Sequence, residues 1–451
     1  FGEVRYDYDN RYIAEFGFRR EGSSRLGANE RFGNFPSGAV GWRISNESFY
    51  PDGLFLDNVL LRGSVGKTGN NSIGNFEALG VFGSRRSVIG GQVREGQTLS
   101  ELPNENLKWE TAVQWQIGTT IEMFEDAVRL DVEYWNKTTK NMLFDVQTPR
   151  ASGFSSTRVN FGEMVNQGVD ATLGFTKSFE GDISIGSSLN ATWKTNEVVS
   201  MPPQLDRIVL GGRGGTNIIR EGEELGAFWG LIRDGLWRES NIDDMSSPHA
   251  TFEGQDRILG TNRFRDINGD GVIDRENDFT VIGDPRPDVI LGLNTDISYN
   301  NFTFSFLLSS MLGYDILPTI RDVDMNTVRR WNVSKRVLDR WKSPENPGDG
   351  FAPRSEVNNH AREWMDDWLE PGDHLWIKNI RLAYNIPSGL SNRLGVDQAR
   401  FFVTVDNLAR IDSYSGFNPE VSTFSNPGRP GIDEYVNPVP RSYSVGINLS
   451  L

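Results

Sequence analysis

Residues 107–123, with the sequence LKWETAVQWQIGTTIEM, decide the fold class of this chain. Apolar side chains occupy odd positions, as at Trp115 and Ile117, while polar side chains occupy even positions, as at Gln116. Successive side chains of a β-strand point to opposite faces, so this period predicts a long strand with one apolar and one polar face. The same alternation recurs at 128–134, 169–175, 302–308 and 443–451.

Repeated strands of this kind suit a lipid bilayer. Backbone groups cannot stay unpaired in hydrocarbon, and the strands of a membrane barrel, about 9–11 residues long, carry an apolar outer face and a polar inner face. The pattern therefore predicts an all-β fold, a transmembrane antiparallel β-barrel. A large soluble β-sandwich or a surface lectin shares much of the pattern and is the alternative on periodicity alone.

The composition of the 451 residues agrees with a membrane barrel. No apolar run approaches the ~18 residues of a membrane helix, and the 48 Gly, 27 Phe, 12 Trp and 11 Tyr supply turn formers and interfacial rings. The absence of Cys argues against a disulfide framework or a thiolate metal site. The formal net charge of −15 argues against nucleic acid as a partner.

Connection lengths give an independent test, because bacterial barrels alternate short periplasmic turns with long external loops. Tight links are expected at 9–10, 124–126, 179–181 and 300–301. The alternation holds if residues 227–237, AFWGLIRDGLW, belong to an external loop, and roughly 13 strands then remain. The long excursions are 21–35, 68–106, 140–162, 197–288, 313–373 and 410–440.

The odd strand number carries a further expectation. An odd set of antiparallel strands does not close a single-chain barrel of the even-stranded kind, and an open edge would expose unpaired backbone to lipid. We therefore expect residues 1–451 to be the C-terminal part of a larger barrel. Phe1 starts directly in strand-like sequence, which agrees with this expectation.

Several ordered sequence blocks carry a family resemblance. In order, they include YDYDNRYIAEFGFRR, LRGSVGKTGN, NENLKWETAVQWQIG, DINGDGVID, RWKSPENPGDGFAPR, VTVDNLARIDSYSGFNPEV and GIDEYVNPVPRSYSVGINL. Together they resemble the barrel strands of the SusC/RagA-type TonB-dependent outer-membrane transporters. The resemblance implies a 22-stranded barrel with a plugged lumen, of which this chain supplies about 13 strands with long extracellular loops. The N-terminal plug, its TonB box and the remaining strands are then absent from this chain.

The same resemblance implies a function. Such a protein lies among the lipids of the outer membrane of a Gram-negative bacterium and imports large nutrients, oligosaccharide or peptide. A SusD-like surface lipoprotein closes it as a lid, and the TonB system energises it through the missing N-terminal part. The alternative is a barrel of the same build that serves as a structural or docking subunit of a larger cell-envelope assembly.

One motif carries its own chemistry, the segment DINGDGVID at 266–274. Oxygen ligands at loop positions 1, 3, 5, 7 and 9 with Gly at position 6 match the opening of a calcium loop. Position 12 is Asn277, and the acid comes one residue later, so a hydrogen-bonded Asx turn is the alternative. The predicted calcium ligands are Asp266, Asn268, Asp270, Val272, Asp274 and Asp278.

The predicted external loops are rich in aromatic residues. Flat rings suit sugar faces and apolar peptide side chains, and they dominate the binding energy of many interfaces. They are candidates for a surface that contacts substrate or lid, and packing of the loops against themselves is the alternative. The candidates are Phe228, Trp229, Trp237, Trp331, Trp341, Trp364, Trp368, Tyr414 and Phe417. Trp109 and Trp115, on the apolar strand face, are predicted to anchor the protein in the membrane.

No catalytic constellation stands out. His249, His360 and His374 are isolated in the sequence, so neither a zinc site nor a Ser-His-Asp arrangement is indicated. Acidic clusters such as 366–370 are common in proteins, and their spacing in the fold is not set by sequence. The sequence therefore predicts that the chain is not an enzyme.

Overall fold

The computed structural model describes residues 1–450 except 52, 81, 100–101, 148–149, 155, 203–204, 213–214, 244–248, 253–256, 322–331 and 356–362. Its contacts divide the chain into two compact units. One unit comprises residues 1–177 and 190–206, and the other comprises residues 178–189 and 207–451.

One antiparallel sheet of 13 strands, here called the wall, dominates the described structure. The order of its strands follows the chain, with the loop strands left out. Strand number and fold class therefore agree with the sequence prediction. The wall strands are β1 (Gly2–Tyr8), β2 (Tyr12–Gly22), β3 (Phe32–Arg43), β4 (Leu56–Asn70), β7 (Glu110–Met123), β8 (Val128–Gln147), β9 (Ser156–Phe179), β10 (Ile183–Ser200), β19 (Val289–Tyr299), β20 (Phe302–Leu312), β23 (His374–Asn385), β24 (Gln398–Asp412) and β26 (Ser442–Ser450).

The remaining described strands are short and lie in the connections between wall strands. They are β5 (Phe82–Ile89), β6 (Gln92–Leu99), β11 (Arg207–Leu210), β12 (Asn217–Arg220), β13 (Ala227–Gly230), β14 (Arg233–Leu236), β15 (His249–Phe252), β16 (Asn262–Arg265), β17 (Val272–Ile273), β18 (Thr280–Gly283), β21 (Asp315–Pro318), β22 (Glu370–Pro371) and β25 (Ile432–Asp433). β13 and β14 lie outside the wall, as predicted for residues 227–237.

Helical structure is confined to single turns among the described elements. An α-helical turn covers Ser388–Ser391, and 3-10 turns cover Ile44–Asn46, Glu77–Leu79, Arg150–Ser152, Lys335–Asp339, Asp366–Trp368 and Asn392–Leu394. Within the described residues, no helix has the length and apolar character needed to cross a membrane.

The register places the apolar positions of neighbouring wall strands in one row. Val40 pairs with Gly63, Gly63 with Ile117, and Ile117 with Tyr134. Ile117 is 63% exposed within this chain, as expected for a side chain that a membrane covers. The predicted alternation is confirmed in these strands.

The opposite face of the same strands is polar. Arg62 of β4 lies 3.2 Å from Glu133 of β8, and it also donates a 2.6 Å hydrogen bond to Thr120 of β7. Asp131 accepts a 2.8 Å hydrogen bond from Arg129. Charged side chains that pair across strands belong on a face that meets water, which is the lumen side of a barrel.

Tight turns join the wall strands at the predicted short links. Asp9 and Asn10 have φ angles of 53° and 52°, and Asn300 has a φ of 51°. Two-residue hairpins need such left-handed backbone, which Asn and Asp tolerate better than most residues. The pairing of Tyr8 with Tyr12 continues directly from the first turn.

One predicted membrane anchor is instead buried. Trp109 packs edge to face against Phe35, with ring centroids 5.3 Å apart, and its indole N–H donates to the carbonyl of Arg31. The ring belongs to a small core with Leu26 and Leu107. The prediction of membrane anchoring is therefore wrong for Trp109, because residues near 26–35 and 73–78 pack around its ring.

Candidate functional site

Three small sheets form a folded region, here called the loop module, from residues 207–288, 313–373 and 410–440. Their strand orders are β11-β12-β13-β18, β14-β16-β15-β17 and β22-β21-β25. All of these strands lie within one compact unit together with the wall strands β19, β20, β23, β24 and β26. The long loops are therefore organised structure, with their own backbone pairing.

A large apolar core holds most of the loop module together, and a smaller core of Tyr314, Ile316, Tyr414 and Val421 lies in the same segments. Residues 227–231 are buried at every position, so β13 is covered on both faces. Leu231, which follows β13, donates its N–H to the carbonyl of Trp364 at 2.8 Å. This hydrogen bond joins the segment 207–288 to the segment 313–373. The large core comprises Ile218, Ala227, Phe228, Trp229, Leu231, Phe264, Ile273, Phe279, Leu317, Trp364, Met365, Trp368 and Ile432.

Most of the aromatic candidates lie inside this module. The seven buried rings are Phe228, Trp229, Trp237, Trp341, Trp364, Trp368 and Tyr414.

Burial at these seven positions favours the alternative in which the loops pack against themselves, and contact of these rings with substrate or lid stays a prediction. The physical reason is that apolar rings in long loops gain more by packing against each other than by facing water. Phe417 is 62% exposed, and its contact with a substrate or lid stays a prediction. Trp331 lies outside the described residues.

A cavity of about 180 Å³ opens beside the core, and we call it the arginine pocket. Met365 and Trp368 are buried and form its floor, while Phe351 and Ile320 are exposed at its rim. Its charged lining consists of Arg233, Arg321, Arg336 and Asp367.

Two of these arginines are held by protein groups. Arg233 is buried and donates to Asn262 at 2.9 Å, to the carbonyl of Phe351 at 2.6 Å and to Asp367. Arg321 donates to the carbonyl of Asp367 at 2.7 Å and lies 2.5 Å from Glu370. A buried guanidinium needs such partners, since an unpaired charge in the interior is costly.

Asp366 and Glu370 complete the polar frame around the pocket. Asp366 accepts the backbone N–H of Arg233 at 2.9 Å, and burial raises the pKa of its carboxyl. Glu370 accepts the backbone N–H and the hydroxyl of Ser415, both at 2.7 Å. Segments distant in sequence thus meet at one polar cluster, which the sequence did not reveal because no local motif links them.

In the structure, hydrogen bonds within the predicted calcium loop hold it closed. Both carboxylate oxygens of Asp266 accept backbone N–H groups, from Gly269 at 2.6 Å and Gly271 at 2.8 Å. Asp278 is buried and accepts the N–H groups of Ile267 at 2.8 Å and Asp274 at 2.7 Å. Burial raises the pKa of Asp278.

The other predicted ligands also make turn contacts. Asp270 accepts the N–H of Val272 at 2.8 Å and the side-chain amide of Asn268 at 2.8 Å. Asp274 accepts the N–H of Asn277 at 2.8 Å, and this hydrogen bond lowers the pKa of Asp274. Each carboxylate oxygen has more than one lone pair, so these contacts leave calcium binding as a prediction.

The structure also brings together a second acidic cluster, which the sequence analysis did not identify. Among the described residues, the carboxylates of Glu224, Asp284 and Asp288 lie within 4.8 Å of one another, and they are the group close enough to share a metal ion. The Arg286 guanidinium interacts with Glu224 and Asp284, although burial lowers its pKa. The cluster therefore already has a cationic neighbour.

His374, the first residue of β23, contacts the segment 410–440 of the loop module. Its Nδ1 lies 2.9 Å from the carbonyl of Gly372, and its Nε2 lies 3.4 Å from the Glu420 carboxylate. Lys378 donates to the other oxygen of Glu420 at 2.7 Å. The nearby His374 ring, together with Lys378, holds the pKa of Glu420 below its usual range.

Comparison with known proteins gives both a family model and relatives. The model described as TonB dependent receptor-like, beta-barrel, matches residues 1–227. TonB-dependent receptor P3 of Formosa agariphila is 30% identical over 460 aligned residues, which cover 100% of this chain and 45% of that protein. TonB-dependent receptor SusC of Bacteroides thetaiotaomicron is 27% identical over 469 residues, which cover 100% of this chain and 43% of that protein. The chain thus spans less than half the length of these relatives.

Solved structures share the fold over the whole described chain. The structure of the RagAB peptide transporter matches with a TM-score of 0.82 and 23% identity, covering 99% of this chain and 46% of that chain. The RagAB peptide importer in its open-open state matches with a TM-score of 0.80 and 23% identity, covering 100% of this chain and 46% of that chain. At this identity the likeness shows the fold alone.

Proposed function

The chain belongs to the TonB-dependent receptor-like β-barrel family, and on this premise we propose that it is the C-terminal part of the barrel of an outer-membrane transporter for large nutrients. The resemblance to SusC/RagA-type proteins is confirmed. The family comprises outer-membrane receptors and no enzymes, which confirms the predicted localisation and the prediction that the chain is not an enzyme.

The loop module is the observation that most supports transport. Its segments pack around a shared apolar core and leave a cavity with a buried floor and a polar frame. A barrel that only docked other proteins would need an exposed face and no such cavity. Concave sites with an apolar floor and a few convergent polar groups are typical of ligand binding.

The proposal extends to the partners and the cargo of the transporter. A SusD-like surface lipoprotein covers the extracellular loops, and TonB supplies energy through an N-terminal plug. Oligosaccharides and peptides are the two proposed cargo classes, and the RagAB relative, which is a peptide transporter by description, supports the second. Calcium in the loop at 266–278 would brace one of these loops without taking part in transport.

Uptake by cells tests the proposal. Cells with the intact full-length gene, without it, and with an inactivated TonB system would be fed mixed labelled oligosaccharides and, separately, mixed labelled peptides. We expect uptake from one mixture to depend on both the gene and TonB. Unchanged uptake of both mixtures, together with loss of envelope proteins from the gene-deleted strain, would instead favour the structural or docking role.

A further inference from the structure

We propose that the arginine pocket binds a carboxylate-bearing residue of the cargo, with the carboxylate at Arg336 and the apolar or flat body of the residue on the pocket floor. This inference rests on the proposed transport function and specifies the chemistry of the cargo. The pocket residues come from separated segments that fold together around Met365 and Trp368.

The pocket lining is positively charged, although the chain as a whole is negatively charged. The whole chain carries a formal net charge of −15, yet three arginines and one carboxylate, Asp367, line this cavity. Glu370 neutralises Arg321 from behind, and Asp367 pairs with Arg233. Asp366 accepts the backbone N–H of Arg233 from outside the lining, so the pocket and its polar frame are neutral as a whole, and one arginine charge of the lining is left without an ion-pair partner.

That remaining charge belongs to Arg336. It is exposed at the rim, and among the described residues its guanidinium has no hydrogen-bond or ion-pair partner. Its backbone is fixed, since it lies in the turn Lys335–Asp339, where its N–H donates to the Ser334 hydroxyl at 3.3 Å and Val337 is buried. A planar guanidinium on a fixed backbone is well suited to bind a carboxylate through two parallel hydrogen bonds.

The floor of the arginine pocket determines which kind of side chain or ring can accompany the carboxylate. Met365 and Trp368 are buried beneath the opening, and the Phe351 ring lies under the Arg233 guanidinium at 5.0 Å. A flat sugar face or an apolar side chain loses water against these groups, whereas a free ammonium group would face the arginines.

The size of the cavity limits what enters it. Its volume of about 180 Å³ is below the ~300–1,000 Å³ of pockets that enclose drug-sized ligands, so it accommodates one residue of a longer molecule. The carboxylate has two possible sources, the end or acidic side chain of a peptide and a uronic acid unit of an oligosaccharide. Both present the same anion to Arg336.

Equilibrium binding to the purified full-length protein tests the inference. The probes are two matched pairs, the tripeptide Ala-Ala-Phe with its C-terminal amide, and trigalacturonate with its methyl ester. We expect one carboxylate probe to bind at least tenfold more tightly than its neutral partner. R336Q should weaken binding of that probe by about tenfold, because a hydrogen-bonded ion pair at a partly exposed site contributes on this scale.

Two further variants separate the pocket from general surface charge. R336K should give an intermediate loss, since lysine keeps the charge without the planar pair of donors. K335Q removes the adjacent exposed cation, which does not line the cavity, and should leave binding unchanged. Because Arg336 and Lys335 are both exposed, neither change should affect folding.

The inference is overturned if both carboxylate probes bind no better than their neutral partners, or if R336Q and K335Q have equal effects. These results leave TonB-dependent uptake unaffected, so the transport proposal would survive them. Conversely, uptake in cells that is absent or independent of TonB would contradict the transport proposal, whatever the purified protein binds.

Discussion

Two aromatic residues of the wall and two of the loop module have opposite surroundings. Trp115 in β7 and Phe304 in β20 are exposed within the chain, whereas Phe228 and Trp229 in β13 are almost fully buried. The wall relies on the membrane to cover its apolar face, so the strand register alone determines which ring is exposed. The loop module must bury its rings by its own folding, as a soluble domain does.

The two regions therefore depend on different interactions. The wall is held by long backbone ladders, such as the 13 consecutive paired positions from Asn58 to Asn70 between β4 and β7. In hydrocarbon an unpaired backbone group costs several kcal/mol, so these ladders resist opening. The loop module has short strands of two to four residues and depends on its shared core instead. Substitutions should distinguish these two modes of stabilisation.

The largest effect is expected in the core of the loop module. Trp229→Ala removes a ring that is 2% exposed and should lower the local unfolding free energy of the module by ~3–5 kcal/mol, through lost burial and the cavity left behind. Hydrogen exchange of residues 216–231 measures this loss. The wall ladders should keep their protection, because they do not share this core.

Trp115→Ala is the matched control for that experiment. Its ring is 39% exposed and contacts Tyr134 at a centroid distance of 5.4 Å, so removing it leaves no enclosed cavity. We expect a loss well below that of Trp229→Ala. Similar losses from both tryptophan variants would contradict the distinction between the two regions.

The next effect concerns the two faces of the wall. Ile117→Arg puts a charge on the apolar face and should cost ~2–4 kcal/mol if the residue lies near the bilayer midplane, whereas Gln116→Arg, on the polar face, should cost little. Folding of the full-length protein into lipid vesicles at graded denaturant concentrations measures both. Equal losses at these adjacent positions would mean that the register places the wrong face towards lipid.

The wall could be predicted from sequence because its signal is local. Alternation at 107–123 assigns a face to each residue, and the structure keeps that assignment from Val113 to Ile121 in β7. The prediction failed at Trp109, where the alternation continues but the strand has not yet begun. A period-two pattern does not show where a strand leaves the membrane.

The arginine pocket could not be predicted in this way. Arg233, Arg321 and Arg336 lie in different segments, and their convergence depends on how the loops cross. The aromatic candidates were found by residue type, but their burial depends on how the loops pack, and four of the seven, Phe228, Trp229, Trp364 and Trp368, lie in the shared core. A count of aromatic residues in long loops therefore predicts a folded loop region better than it predicts a binding surface.

The predicted calcium loop provides the third test. If calcium binds, chelation should speed proteolysis within residues 261–281, since at ten times its dissociation constant calcium adds about 1.4 kcal/mol of local stability. Asp266→Asn keeps only one of the two oxygens that accept the N–H groups of Gly269 and Gly271, and it removes the charge that a calcium ligand needs, so it should abolish the response to chelator. Proteolysis that is indifferent to chelator in the unmodified protein would identify the loop as a hydrogen-bonded turn.

The smallest predicted effect is a pH-dependent contact between wall and loop module. The pKa of Glu420 is lowered by the neighbouring His374 ring and by Lys378, so the contact stabilises the folded state above the unfolded pKa of roughly 4.3. Its contribution is lost as the pH falls through the lower, folded pKa. Glu420→Gln should therefore cost ~1 kcal/mol or less near neutral pH, and this cost should vanish in acid.

Hydrogen exchange of residues 413–421, compared between the Glu420→Gln variant and the unmodified protein at each pH, measures that cost without interference from the other acidic groups. Glu434→Gln, an exposed change in the same segment, is the control and should give no difference at any pH. Glu420 joins an external loop to β23 through Lys378 at 2.7 Å, so a real effect should be confined to this loop and its strand end. A cost for Glu420→Gln that persisted unchanged below pH ~3 would show that the side chain stabilises the loop through packing rather than through its charge.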